Sequence, residues 1–319
     1  MCPASCSKVA WCEIENAEYT ADLDLWMGLC SSEPLRGSPA PTFGAKTVLE
    51  LGAGVGRVSV RLRALGAEVC ALDREQELLD EIVRRAQARG IGEISVVRAD
   101  ARSSASLGRR FDLVIAPQVF VQMFETRADR VAIIKCAVRH LARREGSSFW
   151  MTFHPDLEQA WADEADAPLP PQVTELDGRT FETKPLESYW HSQNGERSLR
   201  IVWSRRVDGE ESTTETRYAE LTQAGIEDEA KEAGLDLIDS ITVPGNDNFL
   251  DQVALRFIAG AVGQERSERG GNSRAVCLRR ISTPTTARAA SATITSTWPR
   301  LLIPGMNDSQ RRNSTATTP

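Results

Sequence analysis

The sequence predicts a doubly wound α/β fold, with a mainly parallel sheet covered by helices on both faces. Three observations predict it. From residue 46 onward short apolar runs alternate with helical stretches, the rhythm of successive βαβ units. The runs are apolar nearly throughout, as strands buried on both faces are. The first of them ends in three alternating glycines that open a helix, a turn that lets backbone approach a ligand closely.

The elements follow in order. Residues 47–51 form a strand, the glycine turn leads to a helix near 56–65, and 68–72 is the second strand. A helix over 75–89 closes at Gly90, and 94–98 and 111–116 are further strands. Residues 126–141 are helical, with Val131, Ile134, Val138 and Leu141 on one face. Residues 147–153 make the fifth strand. Ahead of this domain, segment 1–45 carries an amphipathic helix over 21–29 and ends near Ser38-Pro39-Ala40-Pro41, a loop signal.

After Pro155 the character changes. Residues 156–196 hold ten acids against Arg179 and Lys184, and a region of about 156–217 reads as an insertion over the sheet edge. Within it, residues 198–206 and 211–218 flank Asp208-Gly209, a hairpin signal. A helix over 218–233 ends at Gly234, which suits the left-handed position after a helix, and strands over 235–243 and 252–258 complete the domain at about 262. Residues 263–319 contain 16 Ser or Thr and nine Arg but no Lys. Little there could fill a core, so a disordered basic tail is expected.

Charge and composition exclude several classes. The formal charge of −7 divides into +6 from residue 263 onward and −13 before it. A body that acidic is a poor host for a polyanion, so nucleic acid is not an expected partner. No apolar run approaches the roughly 18–20 residues of a membrane span, and residues 1–13 lack a secretory layout. Seven cysteines without a C-x-x-C pair, and three histidines in all, give no metal-site spacing. Reduced thiols and a cytoplasmic location are the expectation.

The informative segment is Val48-Leu49-Glu50-Leu51-Gly52-Ala53-Gly54-Val55-Gly56-Arg57. A dinucleotide site wants G-x-G-x-x-G with a pyrophosphate at the helix N-terminus. Here Arg57 holds the sixth position and Glu50 precedes the turn, an acid that repels pyrophosphate and favours a cationic ligand.

With Glu50, Gly52, Gly54 and Gly56 in the form E/D-x-G-x-G-x-G, the sequence resembles the class I S-adenosylmethionine-dependent methyltransferases of small molecules. That resemblance implies a seven-stranded Rossmann-like methyltransferase fold with S-adenosylmethionine as cofactor. It places Asp73, at the end of the second strand, on the ribose hydroxyls, with Ala53 and Arg74 beside the turn and the strand end. Asp100 falls where an acid meets the adenine amino group, and Ala101 where a backbone N–H does. Ala116-Pro117 ends the fourth strand, which faces the transferred methyl. The Asn/Asp-Pro-Pro-Tyr of the amino-methylating DNA enzymes is absent; Ala116-Pro117-Gln118-Val119 stands there.

Such an enzyme transfers a methyl group to a nucleophilic N or O atom, mainly by holding the acceptor in line. Where a base is needed, His154 and His191 are the candidates, the first after the fifth strand and the second in the variable region. Trp161, Tyr189, Trp190 and the acids of 156–196 read as an aromatic, acidic lid suited to a cationic amine, beside the plainer reading of solvated loops. Arg57 either pairs locally or reaches the cofactor carboxylate. The rival readings are a protein methyltransferase of the same fold, a non-catalytic methyltransferase-like scaffold and an NAD-dependent oxidoreductase.

Overall fold

The computed structural model describes residues 8–16, 19–31, 44–103, 106–155, 157–158, 171–176, 178–245 and 249–260. Its main sheet has seven strands: β1 (Thr47–Leu51), β2 (Glu68–Asp73), β3 (Ser95–Arg98), β4 (Leu113–Ala116), β5 (Ser148–Phe153), β10 (Leu235–Val243) and β11 (Gln252–Ala259). Their order across the sheet is β10-β11-β5-β4-β1-β2-β3. Strands β1 to β5 pair in parallel, and β11 runs antiparallel to both of its neighbours, β5 and β10. The order turns back between β1 and β4, so a crevice opens at the carboxyl ends of these strands.

Alternation along the strands sorts the core into two layers. Leu49, Leu51, Val114, Phe149 and Met151 pack with α5 (Arg127–His140) and α6 (Gln223–Ala233) through Ile133, Ile134, Ile226 and Ala230. Val48, Val69, Ala71, Ile115 and Trp150 face α2 (Leu23–Cys30), α3 (Ser59–Ala64) and α4 (Gln76–Arg89) through Trp26, Leu62 and Ile82. Glu50 stands between Leu49 and Leu51, so its side chain is carried into the second layer.

A second sheet lies between β5 and α6: β6 (Gln172–Leu176), β7 (Arg179–Gln193), β8 (Glu196–Val207) and β9 (Glu210–Ala219), antiparallel throughout. The hairpin at Asp208-Gly209 is where the sequence puts it. The fifteen-residue β7 is not legible there, because its polar residues and Pro185, where the register shifts, read as loop. The helix expected over 218–233 begins only at Gln223, where the Thr222 hydroxyl accepts from Gly225 N; Tyr218 and Ala219 close β9. A further helix, α1 (Lys8–Asn16), has no counterpart in the sequence reading. It buries Trp11 and Ile14 with Phe181 and Val207 of the second sheet. The expected tail over 263–319, and Trp161, lie outside the described residues.

Candidate functional site

A cavity of about 380 Å³ occupies the crevice, a size suited to a small organic ligand. Its floor is the turn after β1, with Glu50, Gly52, Ala53, Gly54 and Arg57; Asp73, Arg74, Asp100 and Ala101 line the β2–β3 side, and Pro117 and Gln118 the β4 side. Nine of the eleven residues the resemblance assigns to the cofactor are thus brought together. Gly56 and Ala116 are not on its wall. A Cβ on Gly56 would come within 2.9 Å of Ile82 Cγ1, so this glycine admits α4 against the turn. Ala116 is fully buried among the strands.

The turn is built around Asp73. One carboxylate oxygen accepts from Gly54 N at 2.9 Å and the other from Glu75 N at 3.0 Å. Gly52 and Gly54 both have positive φ, and a Cβ on Gly54 would reach 3.2 Å from Cys12 Sγ, so the backbone itself forms the cradle. Glu50 is 3% exposed. Burial pushes its carboxyl up to about 7, against the opposing bond from Ser59 and the charge of Arg57. Arg57 does not reach across the cavity with a free charge, since it is bound to Asp22 at 2.6 and 2.8 Å. Asp100 is held down to about 2, first by the side-chain bonds of Arg102.

The far wall comes from residues the sequence reading missed. A 3-10 turn, Phe120–Met123, and the following Phe124 supply apolar surface, and α1 supplies Cys12 and Asn16. Phe120, Met123 and Phe124 sit at helical spacing after the fourth strand, a signal present in the sequence. Gln118 and Val119 hold φ of 51° and 55°, a left-handed conformation uncommon for side-chain-bearing residues and an outlier for a β-branched one. Val119 N is anchored to Thr152 Oγ1 at 3.1 Å.

Comparison with known proteins fits this geometry. Residues 48–144 match the family described as methyltransferase domain. The chain is also similar to the CcbJ methyltransferase of Streptomyces caelestis (TM-score 0.51, 18% identity, covering 75% of this chain and 94% of that one). An amino pentose methyltransferase of Micromonospora echinaspora, solved with S-adenosylmethionine bound, gives a TM-score of 0.50 at 17% identity, covering 79% and 92%. A S-adenosylmethionine-dependent methyltransferase of Clostridium acetobutylicum gives 0.50 at 17%, covering 67% and 84%. The fold is that of a class I S-adenosylmethionine-dependent methyltransferase. No curated protein matches the chain.

In this methyltransferase fold the two histidines expected to act as bases stand away from the cavity. His154 donates its backbone N–H to Gln122 Oε1, and its ring Nδ1 lies 3.0 Å from Asp251 O, with burial holding its pKa below the usual value. His191 sits on β7, opposite Ser198 and near the hairpin end. Neither lines the cavity. Of the expected aromatic and acidic lid, three described members have partners within the second sheet. Tyr189 Oη donates to Glu215, Trp190 lies under the Arg197 guanidinium at 4.1 Å, and Glu182 pairs with Arg206. Strand ladders place these charges opposite partners, which the linear sequence cannot display. Among the described residues no group of three or more His, Cys, Asp or Glu is arranged to hold a metal ion, and no helix is long and apolar enough to cross a membrane.

Proposed function

We propose that the chain binds S-adenosylmethionine in this cavity and catalyses methylation of a nucleophilic N or O atom of a small molecule. The observation that carries the reading is the convergence of Glu50, the Gly52–Gly54 cradle, Asp73 and Asp100 on one cavity at the switch point of the sheet. The donor set suits the group. Asp73 and Asp100 offer carboxylate oxygens to hydroxyl and amino donors of the nucleoside, Ala101 a backbone N–H, and Glu50 a nearby acid for a cation.

Bound there, S-adenosylmethionine would supply an electrophilic methyl on a sulfonium, with the neutral thioether as leaving group. This chain's residues need only position and desolvate. Phe120, Met123 and Phe124 exclude water from the wall, while the turn held by Asp73 fixes the backbone against which the ligand rests. Proximity and orientation of this kind contribute about 7–11 kcal/mol to such barriers. The four described cysteines are free thiols, which supports a reducing, cytoplasmic setting.

The test is calorimetric titration of the full chain with S-adenosylmethionine, with NAD as control and with Gly54→Arg and Asp100→Ala as variants. Micromolar binding, lost in Gly54→Arg and weakened in Asp100→Ala, with no uptake of NAD, is the expected result. Absence of binding to the folded wild-type chain would overturn the reading.

A further inference from the structure

The cavity ends on the β4 side at a pair of amides whose orientation is forced. Asn16 Nδ2 donates to Cys12 O at 3.0 Å. A main-chain carbonyl can only accept, so the amide nitrogen of Asn16 must face it and Asn16 Oδ1 must face away. Gln118 Nε2 donates to that Oδ1 at 2.6 Å. The same logic then fixes Gln118: its nitrogen is used on Asn16, and its Oε1 remains as an acceptor with no partner among the described residues. Both residues line the cavity.

The position along the cavity matters as much as the orientation. Strand order places Asp100 and Asp73 at β3 and β2, the glycine turn at β1 and Gln118 just past β4. A ligand with its nucleoside at Asp73 and Asp100 therefore runs across β1, and its sulfonium end lies on the side of Gln118. The left-handed backbone at Gln118 and Val119, anchored through Thr152, holds this amide in place.

We infer that Gln118 is an acceptor-orienting residue whose Oε1 receives an N–H of the incoming nucleophile, so that the acceptor class is an amine rather than a carboxylate or other group without a donor hydrogen. An amine carries N–H bonds and a lone pair at once. Unlike a hydroxyl, which could also donate to Gln118, a neutral amine is nucleophilic without a base, a role neither His154 nor His191 can fill from outside the cavity wall. Fixing one N–H on Gln118 leaves the lone pair free to be aimed. A carboxylate would meet Gln118 Oε1 oxygen against oxygen. Asn16 is the positioning residue, since it acts only by fixing the amide of Gln118.

This inference rests on the cofactor reading above, and its test separates the two. The probes are S-adenosylhomocysteine and sinefungin, the analogue in which an amine-bearing carbon replaces the methylated sulfur. The sinefungin amine stands where the methyl would, and it donates N–H. Calorimetry on the full chain should give a preference for sinefungin that falls roughly tenfold in Gln118→Met, the size of a lost hydrogen bond to a charged group, while the affinity for S-adenosylhomocysteine stays the same. Asn16→Leu, which frees Gln118 to rotate, should lower the preference by a smaller factor. An unchanged preference in Gln118→Met with S-adenosylhomocysteine still bound would overturn the inference alone. Equal weakening of both probes would make Gln118 merely structural and would equally overturn it. Failure of both probes to bind the wild type would bring down the cofactor reading and this inference with it, while failure of sinefungin alone would overturn only the inference.

Discussion

Asp22 and Arg57 close on one another as a bidentate ion pair, at 2.6 and 2.8 Å, with side chains 0% and 9% exposed. The pair joins the N-cap of α2 to the residue directly after the glycine turn. Asp22 also accepts from Trp26 Nε1 at 2.7 Å, and Arg57 donates to Tyr19 O at 2.8 Å. Both carboxylate oxygens of Asp22 and both Nη atoms of Arg57 are thus occupied, the kind of saturation under which a buried pair holds rather than costs. The N-terminal segment is thereby tied to Arg57 on the cavity wall.

Breaking that clasp on one side leaves a charge buried without its partner. Asp22→Ala should destabilise the chain by about 3–5 kcal/mol, read as a lower urea midpoint. Because the freed Arg57 adjoins the turn, S-adenosylmethionine affinity should fall as well. The double variant Asp22→Leu with Arg57→Met, which removes both charges, should recover much of the stability. A double variant no more stable than Asp22→Ala would show that the pair is not the source of the loss.

The two outer glycines of the turn serve different ends, and alanine separates them. A Cβ on Gly52 would fall 2.2 Å from the ring of Phe120, a cavity-wall residue, whereas one on Gly56 would fall 2.9 Å from Ile82 of α4. Both have positive φ. Gly56→Ala should lower stability by about 1–3 kcal/mol and leave the affinity for S-adenosylmethionine within a few-fold. Gly52→Ala should lose more than tenfold in affinity, because the ring it displaces faces the ligand. Paired thermal melts and titrations check both, and equal affinity losses would refute the division.

How far the sequence carries the reading depends on the kind of signal. Strands β1, β2, β4 and β5 are legible because both faces are buried, and Glu50, Asp73 and Asp100 because each stands at or just past the carboxyl end of a strand. Gly56 and Ala116 match the motif as letters, yet their contacts are with Ile82 and the sheet interior, which no motif encodes. β7 is lost because its charges are satisfied across strands, as Glu182 is by Arg206. Asn16 and Gln118 are 102 positions apart, and their bond exists only once α1 is laid over the end of β4.

Glu50 gives the cavity a pH dependence of definite sign. Its folded pKa, about 7, lies above the ordinary 4.5, so the folded state holds the proton that the unfolded chain has released. Its stabilising contribution is complete below about 4.5 and is lost as the pH rises through 7. A shift of this size corresponds to something on the order of 3 kcal/mol. A cationic ligand favours the carboxylate, so affinity for S-adenosylmethionine should rise between pH 6 and pH 8. In Glu50→Gln both trends should flatten, with stability at pH 8 matching or exceeding wild type. Wild-type affinity independent of pH over that interval would remove Glu50 from the binding site.

Arg130 links the cavity wall to the helix layer behind it. Its Nε and Nη2 grip Glu229 of α6, with a shortest contact of 2.7 Å, while Nη1 donates to the carbonyls of Phe124 and Glu125 at 2.9 and 2.7 Å. Arg130 and Glu229 are 5% and 3% exposed. Phe124 lines the cavity, so one guanidinium fixes both the α5–α6 contact and a wall residue. Arg130→Met strands the Glu229 carboxylate and two main-chain oxygens, a loss of about 3–5 kcal/mol. Glu229→Gln keeps an acceptor for the guanidinium and should cost less than half of that. A double-mutant cycle by urea unfolding should return a coupling well above 0.5 kcal/mol, the margin of independent sites. S-adenosylmethionine affinity should follow Arg130, whose bonds hold Phe124, and not Glu229. Additive losses with affinity unmoved in Arg130→Met would place the pair in the scaffold alone.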